Sequence, residues 1–322
     1  MPTRERIGPG TASGLGTASL LALRAARETG VLAALLDRAG TPEAVAEETD
    51  VTERSAERMV SILADLGFIE RVGDEYEPTN RALGLLAKRD VASIGAVPDA
   101  LDTVDALASL PGTMETGVPP ESPPDGLRNR LGAHAATDEA VVRAGVTAAV
   151  RASPDAERVV DLRGASGVYA AEFAARGLDA TMVDSPAVAE AVEPRYRSGD
   201  VTVHAGRPRD LVERADGSGP FDLAFAAGLA SRMDAPEVRA LFEAAADLLG
   251  ADGTLVLVDV LADGSEAAVA ADVLGLASGH GGAHDPAEYR EWLREAGLAD
   301  VRIDPVPGTG RRAVVARKRA VE

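Results

Sequence analysis

The sequence predicts an α/β protein in which a mostly parallel, doubly wound sheet follows a mainly α-helical N-terminal part. Three observations support this prediction. Apolar strands alternate with helical segments from about residue 157, the first 110 residues carry mainly helical periodicity, and a Pro- and Gly-rich break lies at 111–126. We therefore predict an N-terminal domain at 1–110, a linker at 111–137 and a second domain at 138–322.

The N-terminal part has the element order of a winged helix. Thr41 and Thr52 are each placed to cap a helix, and Gly67 ends the second of these helices before two short extended pieces. Helix, turn, helix and a two-stranded wing is the order that defines this motif. The predicted segments are helices at 16–36, 42–46, 53–66 and 81–110 and strands at 68–71 and 75–78.

The second domain alternates strands with helices, which predicts a parallel sheet with helices on both faces. Seven strands are predicted, at 158–162, 180–184, 201–204, 221–225, 254–259, 300–304 and 312–316. The predicted helices of this domain lie at 138–152, 168–176, 235–249 and 286–296.

The composition restricts the classes of function. The net charge is −19, and an acidic surface repels nucleic acid and anionic membranes. Only two of the 33 basic residues are lysine, so the composition resembles that of proteins from salt-accumulating halophiles. An acidic face made for one cationic partner is the alternative. The absence of cysteine excludes disulfides and Cys-ligated metals. With neither a signal peptide nor a membrane span in the sequence, we expect a cytoplasmic protein.

The turn after the first strand of the second domain is the candidate cofactor site. Gly164 and Gly167 lie between this strand and a helix, Asp161 lies within the end of the strand, and Asp184 ends the next strand. A carboxylate at the position of Asp184 can accept both hydroxyls of a ribose. An acidic turn suits the cationic sulfonium of S-adenosylmethionine better than a pyrophosphate. Alternatively, the glycines only fit a tight turn and Asp184 is solvated.

Four segments carry a family resemblance, and their order is more specific than any one of them. The segment VVDLRGASGVYAAEFAARGLDATMVDSPAVAEA looks like motif I and its sequel in class I S-adenosylmethionine-dependent methyltransferases. Residues 15–317 as a whole resemble small-molecule O-methyltransferases that have an N-terminal winged-helix dimerisation domain. The other segments that carry the resemblance are 30–86, 221–261 and 285–298.

This resemblance implies a Rossmann-like methyltransferase domain, S-adenosyl-L-methionine as cofactor and a small-molecule acceptor methylated at a hydroxyl or carboxyl. In this family the winged helix serves dimerisation, and we expect a homodimer because the apolar N-terminal helices exceed what one small domain can cover. The acidic charge and the lack of a long apolar stretch predict neither nucleic acid nor membrane as partner, and no metal site is predicted. The turn and the resemblance together give the candidate cofactor-binding residues Asp161, Gly164, Ala165, Ser166, Gly167, Asp184, Ser185, Gly206 and Arg207.

The chain departs from the family where the family carries chemistry. Arg163 and Ala165 stand where glycine is common, and Arg207 follows Gly206 where the family has Asp. The family's basic His aligns with Ala230 or Ser231, and neither is a base at neutral pH.

Two histidines could replace the missing base. His280 and His284 lie in a glycine-rich loop that borders the acceptor in the family, and Asp259 aligns with a carboxylate that orients the family's His. These three residues are the candidate catalytic residues. The alternative is a flexible glycine loop with solvated histidines.

Two other functions remain open for the chain. The missing His, together with Arg163 and Arg207, suggests a non-catalytic relative that binds cofactor or serves in assembly. A winged-helix transcription regulator would read DNA with helix 53–66, but the charges on that helix are mixed in sign and do not form a basic stripe.

Overall fold

The computed structural model describes residues 15–86, 91–212 and 220–319. The N-terminal residues used to argue against a signal peptide, and residues 87–90 of the predicted helical stretch 81–110, lie outside the described residues. The helices are α1 (Thr17–Glu28), α2 (Val31–Asp37), α3 (Pro42–Glu48), α4 (Glu53–Asp65), α5 (Asn80–Leu86), α6 (Val91–Ile94), α7 (Val97–Ala108), α8 (Leu110–Thr116), α9 (Gly126–Ala135), α10 (Glu139–Ala152), α11 (Val168–Ala175), α12 (Pro186–Val192), α13 (Pro208–Val212), α14 (Ala235–Leu248), α15 (Glu266–Ser278) and α16 (Pro286–Glu295).

The strands, in chain order, are β1 (Ile69–Val72), β2 (Glu75–Pro78), β3 (Arg158–Leu162), β4 (Asp179–Asp184), β5 (Thr202–Ala205), β6 (Phe221–Ala227), β7 (Leu249–Asp259), β8 (Leu298–Pro305) and β9 (Arg312–Lys318). Two short 3-10 helices lie at Glu193–Tyr196 and Ala230–Arg232. Among the helices described, none is both long and apolar enough to cross a membrane.

The chain divides into two compact units. The first comprises Met1–Asp105 and Ser122–Ala136, and the second comprises Ala106–Glu121 and Thr137–Glu322. Where the sequence predicts a linker at 111–137, the structure has helices α8 and α9. Proline does not prevent α8, because it lies in the first turn, where its missing N–H would have no intrahelical acceptor.

Helices α3 and α4 and the predicted hairpin are present in the first unit, whereas the described part of the helical stretch 81–110 is divided among α5, α6 and α7, with a left-handed Gly95 between α6 and α7. The Thr41 side chain accepts a hydrogen bond from Ala44 N at 3.3 Å, and the Thr52 side chain accepts one from Ser55 N at 3.3 Å. These caps set the starts of α3 and α4. Strands β1 and β2 pair in antiparallel fashion after α4. The predicted helix 16–36 is two helices, because Gly30 adopts a left-handed conformation between them.

The second unit contains a seven-stranded sheet in the order β5-β4-β3-β6-β7-β9-β8. The first five strands in this order, β5, β4, β3, β6 and β7, are parallel to one another. Strand β9 pairs antiparallel with both β7 and β8. The strand order reverses between β3 and β6, and ligands of such sheets bind at that point, beyond the carboxyl ends of the strands. The prediction of an α/β protein with a mostly parallel seven-stranded sheet is confirmed.

A buried glycine in α9 provides a test of packing in the first unit. A Cβ added to Gly132 would lie 2.6 Å from Ile94 Cβ, so we expect Gly132→Ala to destabilise the protein by about 2 kcal/mol through overpacking. Thermal unfolding followed by circular dichroism measures the change. The control is Gly112→Ala in α8, where the added Cβ meets nothing within 4 Å and should leave stability unchanged or raise it slightly. Equal melting temperatures for the two variants would contradict the packing of α9 on α6.

Candidate functional site

The turn between β3 and α11 carries three residues with left-handed backbone. Arg163 has φ 52°, Ala165 has φ 49° and Gly167 has φ 75°. Left-handed backbone favours glycine, and each non-glycine residue held there costs about 1 kcal/mol or more. The turn therefore keeps a glycine-like backbone at two positions where the residue is not glycine. The Arg163 side chain is exposed to solvent and does not fill the turn.

The glycines of this turn are required by the packing of the chain itself. A Cβ at Gly164 would lie 2.7 Å from Asp161 Oδ2, and one at Gly167 would lie 2.6 Å from the Tyr196 hydroxyl. That hydroxyl donates a hydrogen bond to Ser166 O at 2.7 Å. The packing of the turn alone therefore accounts for both glycines. They do not by themselves indicate a cofactor, and this agrees with the alternative that they only fit a tight turn.

Asp161 is the unusual residue of the site. Its side chain is 2% exposed, and its Oδ2 atom has no hydrogen-bond partner. Burial, together with the nearby charge of Asp184, raises the pKa of Asp161 to about 8, against a hydrogen bond from the Ala170 backbone. Buried acceptors are normally satisfied, so an unpartnered carboxylate oxygen beneath a turn fits a ligand that brings a positive charge or an N–H donor.

Asp184 ties the turn to the neighbouring strand. Its Oδ2 accepts a hydrogen bond from Ala165 N at 3.0 Å, and its Oδ1 accepts one from Ser185 N at 2.7 Å. Each oxygen keeps a further lone pair. Burial raises the pKa of Asp184, while hydrogen bonds from Ser185 and Ala165 and the charge of Arg163 oppose this rise.

The end of β5 lies beside Asp184. Gly206 N donates to Asp184 O at 2.8 Å, so the structure brings Gly206 together with the turn and with Asp184. The side chain of Arg207 is exposed instead, and its guanidinium lies 3.8 Å from the Asp210 carboxylate. Asp210 also accepts a hydrogen bond from Arg207 N at 2.7 Å. The Arg207 side chain therefore belongs to an exposed cluster at the start of α13.

Asp259 holds a backbone turn. It ends β7 with 1% exposure, and its Oδ2 accepts hydrogen bonds from Ala230 N at 2.7 Å and Ser231 N at 3.3 Å. Its Oδ1 accepts a third hydrogen bond, from Val260 N at 2.7 Å. These contacts fix the 3-10 turn Ala230–Arg232, where the family has its basic His, and they do not join Asp259 to a histidine.

The two loop histidines contact the same turn. His284 Nε2 lies 2.8 Å from Met233 O and 3.2 Å from Ala230 O, so this nitrogen carries a hydrogen and donates it. The His284 ring packs edge-on against Trp292, with ring centroids 5.2 Å apart. His280 Nδ1 lies 3.2 Å from Arg232 O, and its side chain is exposed. Of the two ring nitrogens of His284, Nε2 is used as a donor and Nδ1 is left as an acceptor.

Sequence reasoning missed three residues of this region. Tyr196 packs on Gly167, and Arg311 Nη1 donates a hydrogen bond to the Tyr169 hydroxyl at 3.0 Å. No local sequence signal marks Tyr196 or Arg311, because each reaches the turn region from an element distant in sequence. Two clefts elsewhere, of about 680 Å³ beside α2 and about 520 Å³ beside α16, contain none of the predicted site residues.

Known proteins share this architecture. Human N-acetylserotonin methyltransferase in complex with SAM is 20% identical, with 94% of each chain covered and a TM-score of 0.64. The mitomycin 7-O-methyltransferase MmcR is 22% identical, with 94% of this chain and 95% of that chain covered and a TM-score of 0.68. An O-methyltransferase family protein from Burkholderia thailandensis is 20% identical, with 95% and 96% covered and a TM-score of 0.63. At these identities the likeness shows a common fold.

The sequence itself identifies the family. No curated protein matches the sequence. The profile of a family described as a methyltransferase domain matches residues 134–303, which is more than half of the chain. The matched range contains the sheet from β3 to β7, the turn after β3, and both Asp161 and Asp184. The chain therefore belongs to the methyltransferase-domain family.

Proposed function

We propose that the protein transfers a methyl group from S-adenosyl-L-methionine to a hydroxyl or carboxyl of a small molecule. The observation that carries this proposal is the pair of half-buried and buried carboxylates, Asp184 and Asp161, on adjacent strands around one turn. The family match supports methyl transfer. Solved structures of the same fold include human N-acetylserotonin methyltransferase in complex with SAM and PigF with SAH, which supports the choice of cofactor.

The residues around the turn fit this cofactor by charge and by hydrogen bonding. When bound, the cofactor supplies a methyl group made electrophilic by its sulfonium. Asp161 offers its unpartnered Oδ2 to a cationic group, and Asp184 offers its remaining lone pairs to ribose hydroxyls. Ala165, Ser166, Ser185, Gly206 and Arg207 complete the proposed cofactor-binding set with Gly164 and Gly167.

The chain contributes mainly positioning to the reaction. Ala230 is buried at the site of the family's His, Asp259 accepts three backbone hydrogen bonds, and His284 donates to carbonyl oxygens. We propose that Asp259, His280 and His284 hold the turn Ala230–Arg232 and that the acceptor ionises without a protein base. Phenols of low pKa and carboxylic acids meet this requirement, because they reach the nucleophilic form near neutral pH.

The first unit is proposed to be a winged-helix dimerisation domain. Its exposed apolar side chains, Leu21, Ile62, Val72 and Leu83, support a partner surface on this unit. The exposed residues of α4 include both signs of charge, which does not favour DNA binding. Sedimentation in multimolar KCl measures the proposed homodimer. We also propose that the protein is halophilic and cytoplasmic, which its acidic composition supports. The proposed domains are 1–110 and 138–322, with the connecting residues 111–137 containing α9 and most of α8.

Removing the Asp184 charge tests the cofactor site. We expect Asp184→Asn to weaken the binding of S-adenosylmethionine at least tenfold, since hydrogen bonds to a charged group are worth about 1.5–3 kcal/mol. Isothermal titration calorimetry measures the affinity. The matched control is Asp179→Asn, which makes the same change at the exposed other end of β4 and should leave the affinity unchanged. Absence of binding by the wild-type protein at millimolar cofactor would refute the proposed function.

The raised pKa of Asp161 gives a pH prediction. Below about pH 8 the free protein holds a proton on this carboxyl, and a ligand ammonium bound beside it favours the ionised form. We therefore expect the affinity for S-adenosylhomocysteine to rise between pH 6 and pH 8, with proton release on binding. Calorimetry in buffers of different ionisation enthalpy measures both quantities, and Asp161→Asn should abolish the proton release. Equal proton release by the variant would contradict the assignment.

The raised pKa of Asp161 also makes the stability of the fold depend on pH. The direction of this dependence is opposite to that of a salt-bridged carboxylate, whose pKa is lowered. The unfolded chain loses this proton near pH 4 and the native protein near pH 8. Over that interval the native state binds more protons, so the contribution of Asp161 to the free energy of unfolding falls as the pH rises.

The absence of a protein base predicts the pH profile of methyl transfer. With the cofactor saturating at every pH, the rate with a phenol acceptor should follow ionisation of the phenol itself, and His284→Gln should give a profile of the same shape. Glutamine keeps an N–H donor for the Met233 carbonyl and removes the imidazole. Initial rates between pH 5 and pH 9 provide the measurement. An ionisation seen in the wild type and lost in the variant would instead identify His284 as the base.

A further inference from the structure

Arg311 is a partly buried cation at the carboxyl edge of the sheet. It lies immediately before β9, and its guanidinium covers Gly228, which follows the end of β6. A Cβ at Gly228 would lie 3.5 Å from Arg311 Nη2 and 3.7 Å from Cζ. The absence of a side chain at Gly228 therefore leaves the space that the guanidinium occupies.

The charge of Arg311 has no acidic partner within the described chain. Its guanidinium donates one side-chain hydrogen bond, from Nη1 to the Tyr169 hydroxyl at 3.0 Å, and a phenol at neutral pH carries no charge. The next residue differs, because Arg312 forms an ion pair with Asp263 at 3.1 Å. A guanidinium has five N–H donors, so Arg311 keeps donors that an anion can use. Because buried charges are normally paired, a partly buried arginine without an acidic partner suggests an anionic ligand.

The position of Arg311 is set by its surroundings. Its backbone N–H donates to Thr309 Oγ1 at 3.2 Å, and its carbonyl accepts a hydrogen bond from Val306 N at 3.0 Å. Tyr169, whose hydroxyl accepts the hydrogen bond from the guanidinium, is 2% exposed and packs against Phe225 with ring centroids 5.3 Å apart. A cation held in this way loses little freedom when an anion binds.

Arg311 also shares its surroundings with the proposed cofactor site. Tyr169 follows the turn by two residues, and Phe225 lies opposite Asp161 in the pairing of β6 with β3. Burial raises the pKa of Tyr169, the Arg311 charge opposes this rise, and the Asp161 charge adds to it. One hydroxyl thus lies within electrostatic reach of both the buried carboxyl and the unpaired guanidinium.

We infer that Arg311 binds a carboxylate at the methyl-transfer site. The inference rests on the proposed function. An α-amino acid group needs a carboxylate for its ammonium and a cation for its carboxylate, and Asp161 and Arg311 supply these two opposite charges. The amino-acid end of the cofactor has this chemistry. An acceptor that carries a carboxylate is the other source of the same group.

The test compares two nucleosides and two neighbouring arginines. S-adenosylhomocysteine and 5′-methylthioadenosine, which lacks the amino-acid end, are titrated into the wild type, Arg311→Gln and Arg312→Gln. We expect Arg311→Gln to weaken S-adenosylhomocysteine binding about ten- to hundredfold and to leave 5′-methylthioadenosine binding unchanged. Arg312→Gln makes the same change of net charge and should alter neither affinity.

The possible results distinguish a cofactor carboxylate from an acceptor carboxylate, and failure of this inference from failure of the proposed function. If Arg311→Gln leaves S-adenosylhomocysteine affinity unchanged but raises KM at least tenfold for carboxylate-bearing acceptors relative to neutral phenols, the carboxylate is that of the acceptor. The inference is overturned if neither quantity changes, or if both nucleosides weaken equally, which would indicate general damage to the site. Failure of the wild type to bind either nucleoside refutes the proposed function and this inference with it. If the wild type binds 5′-methylthioadenosine but Arg311→Gln changes neither S-adenosylhomocysteine affinity nor the KM for carboxylate-bearing acceptors, the inference alone is refuted.

Discussion

The hydrogen bond from Ala165 N to the Asp184 carboxylate is the interaction on which the site depends. The chain leaves β3, turns, and enters α11 within five residues, and this turn includes three left-handed residues. Such a turn costs backbone energy unless its N–H groups find acceptors. Asp184 supplies one acceptor from the adjacent strand, so the parallel pairing of β3 with β4 and the shape of the turn are set together.

Two buried aspartates of the same sheet show how differently a carboxylate can be used. Asp259 accepts three backbone N–H groups and thereby fixes the turn after β6. Asp161 has a buried oxygen without any partner, and burial raises its pKa. A satisfied carboxylate stabilises the fold, whereas an unsatisfied one destabilises it until a ligand arrives. The unpartnered oxygen of Asp161 therefore supports ligand binding at this turn. The three hydrogen bonds that Asp259 accepts support a positioning role for that residue.

Much of the fold follows from the sequence, because strands of β-branched residues and capped helices leave local signals. Thr41 and Thr52 predict the starts of α3 and α4, and the apolar runs predict β3 to β7. Helix α15 is not predicted, although Ser265 caps its start, because its Ala-rich sequence shows no one-sided apolar periodicity. The site is predictable only in part. Asp161 lies just before the turn in the sequence and Asp184 ends the next strand, so the strand pattern marks both, whereas Tyr196 and Arg311 reach this region through tertiary packing alone.

The departures of this turn from the family's usual glycines do not remove its geometry. Arg163 and Ala165 adopt the left-handed backbone that glycine would adopt, and the Arg163 side chain extends into solvent. Glycine remains at the two positions where a side chain would collide with Asp161 or Tyr196. The two residues that are not glycine therefore stand where the backbone is strained but no such collision is required. A glycine count taken from the sequence cannot make this distinction, because it depends on what each Cβ would meet. A turn with fewer glycines can thus keep the same backbone, and loss of function does not follow from their loss.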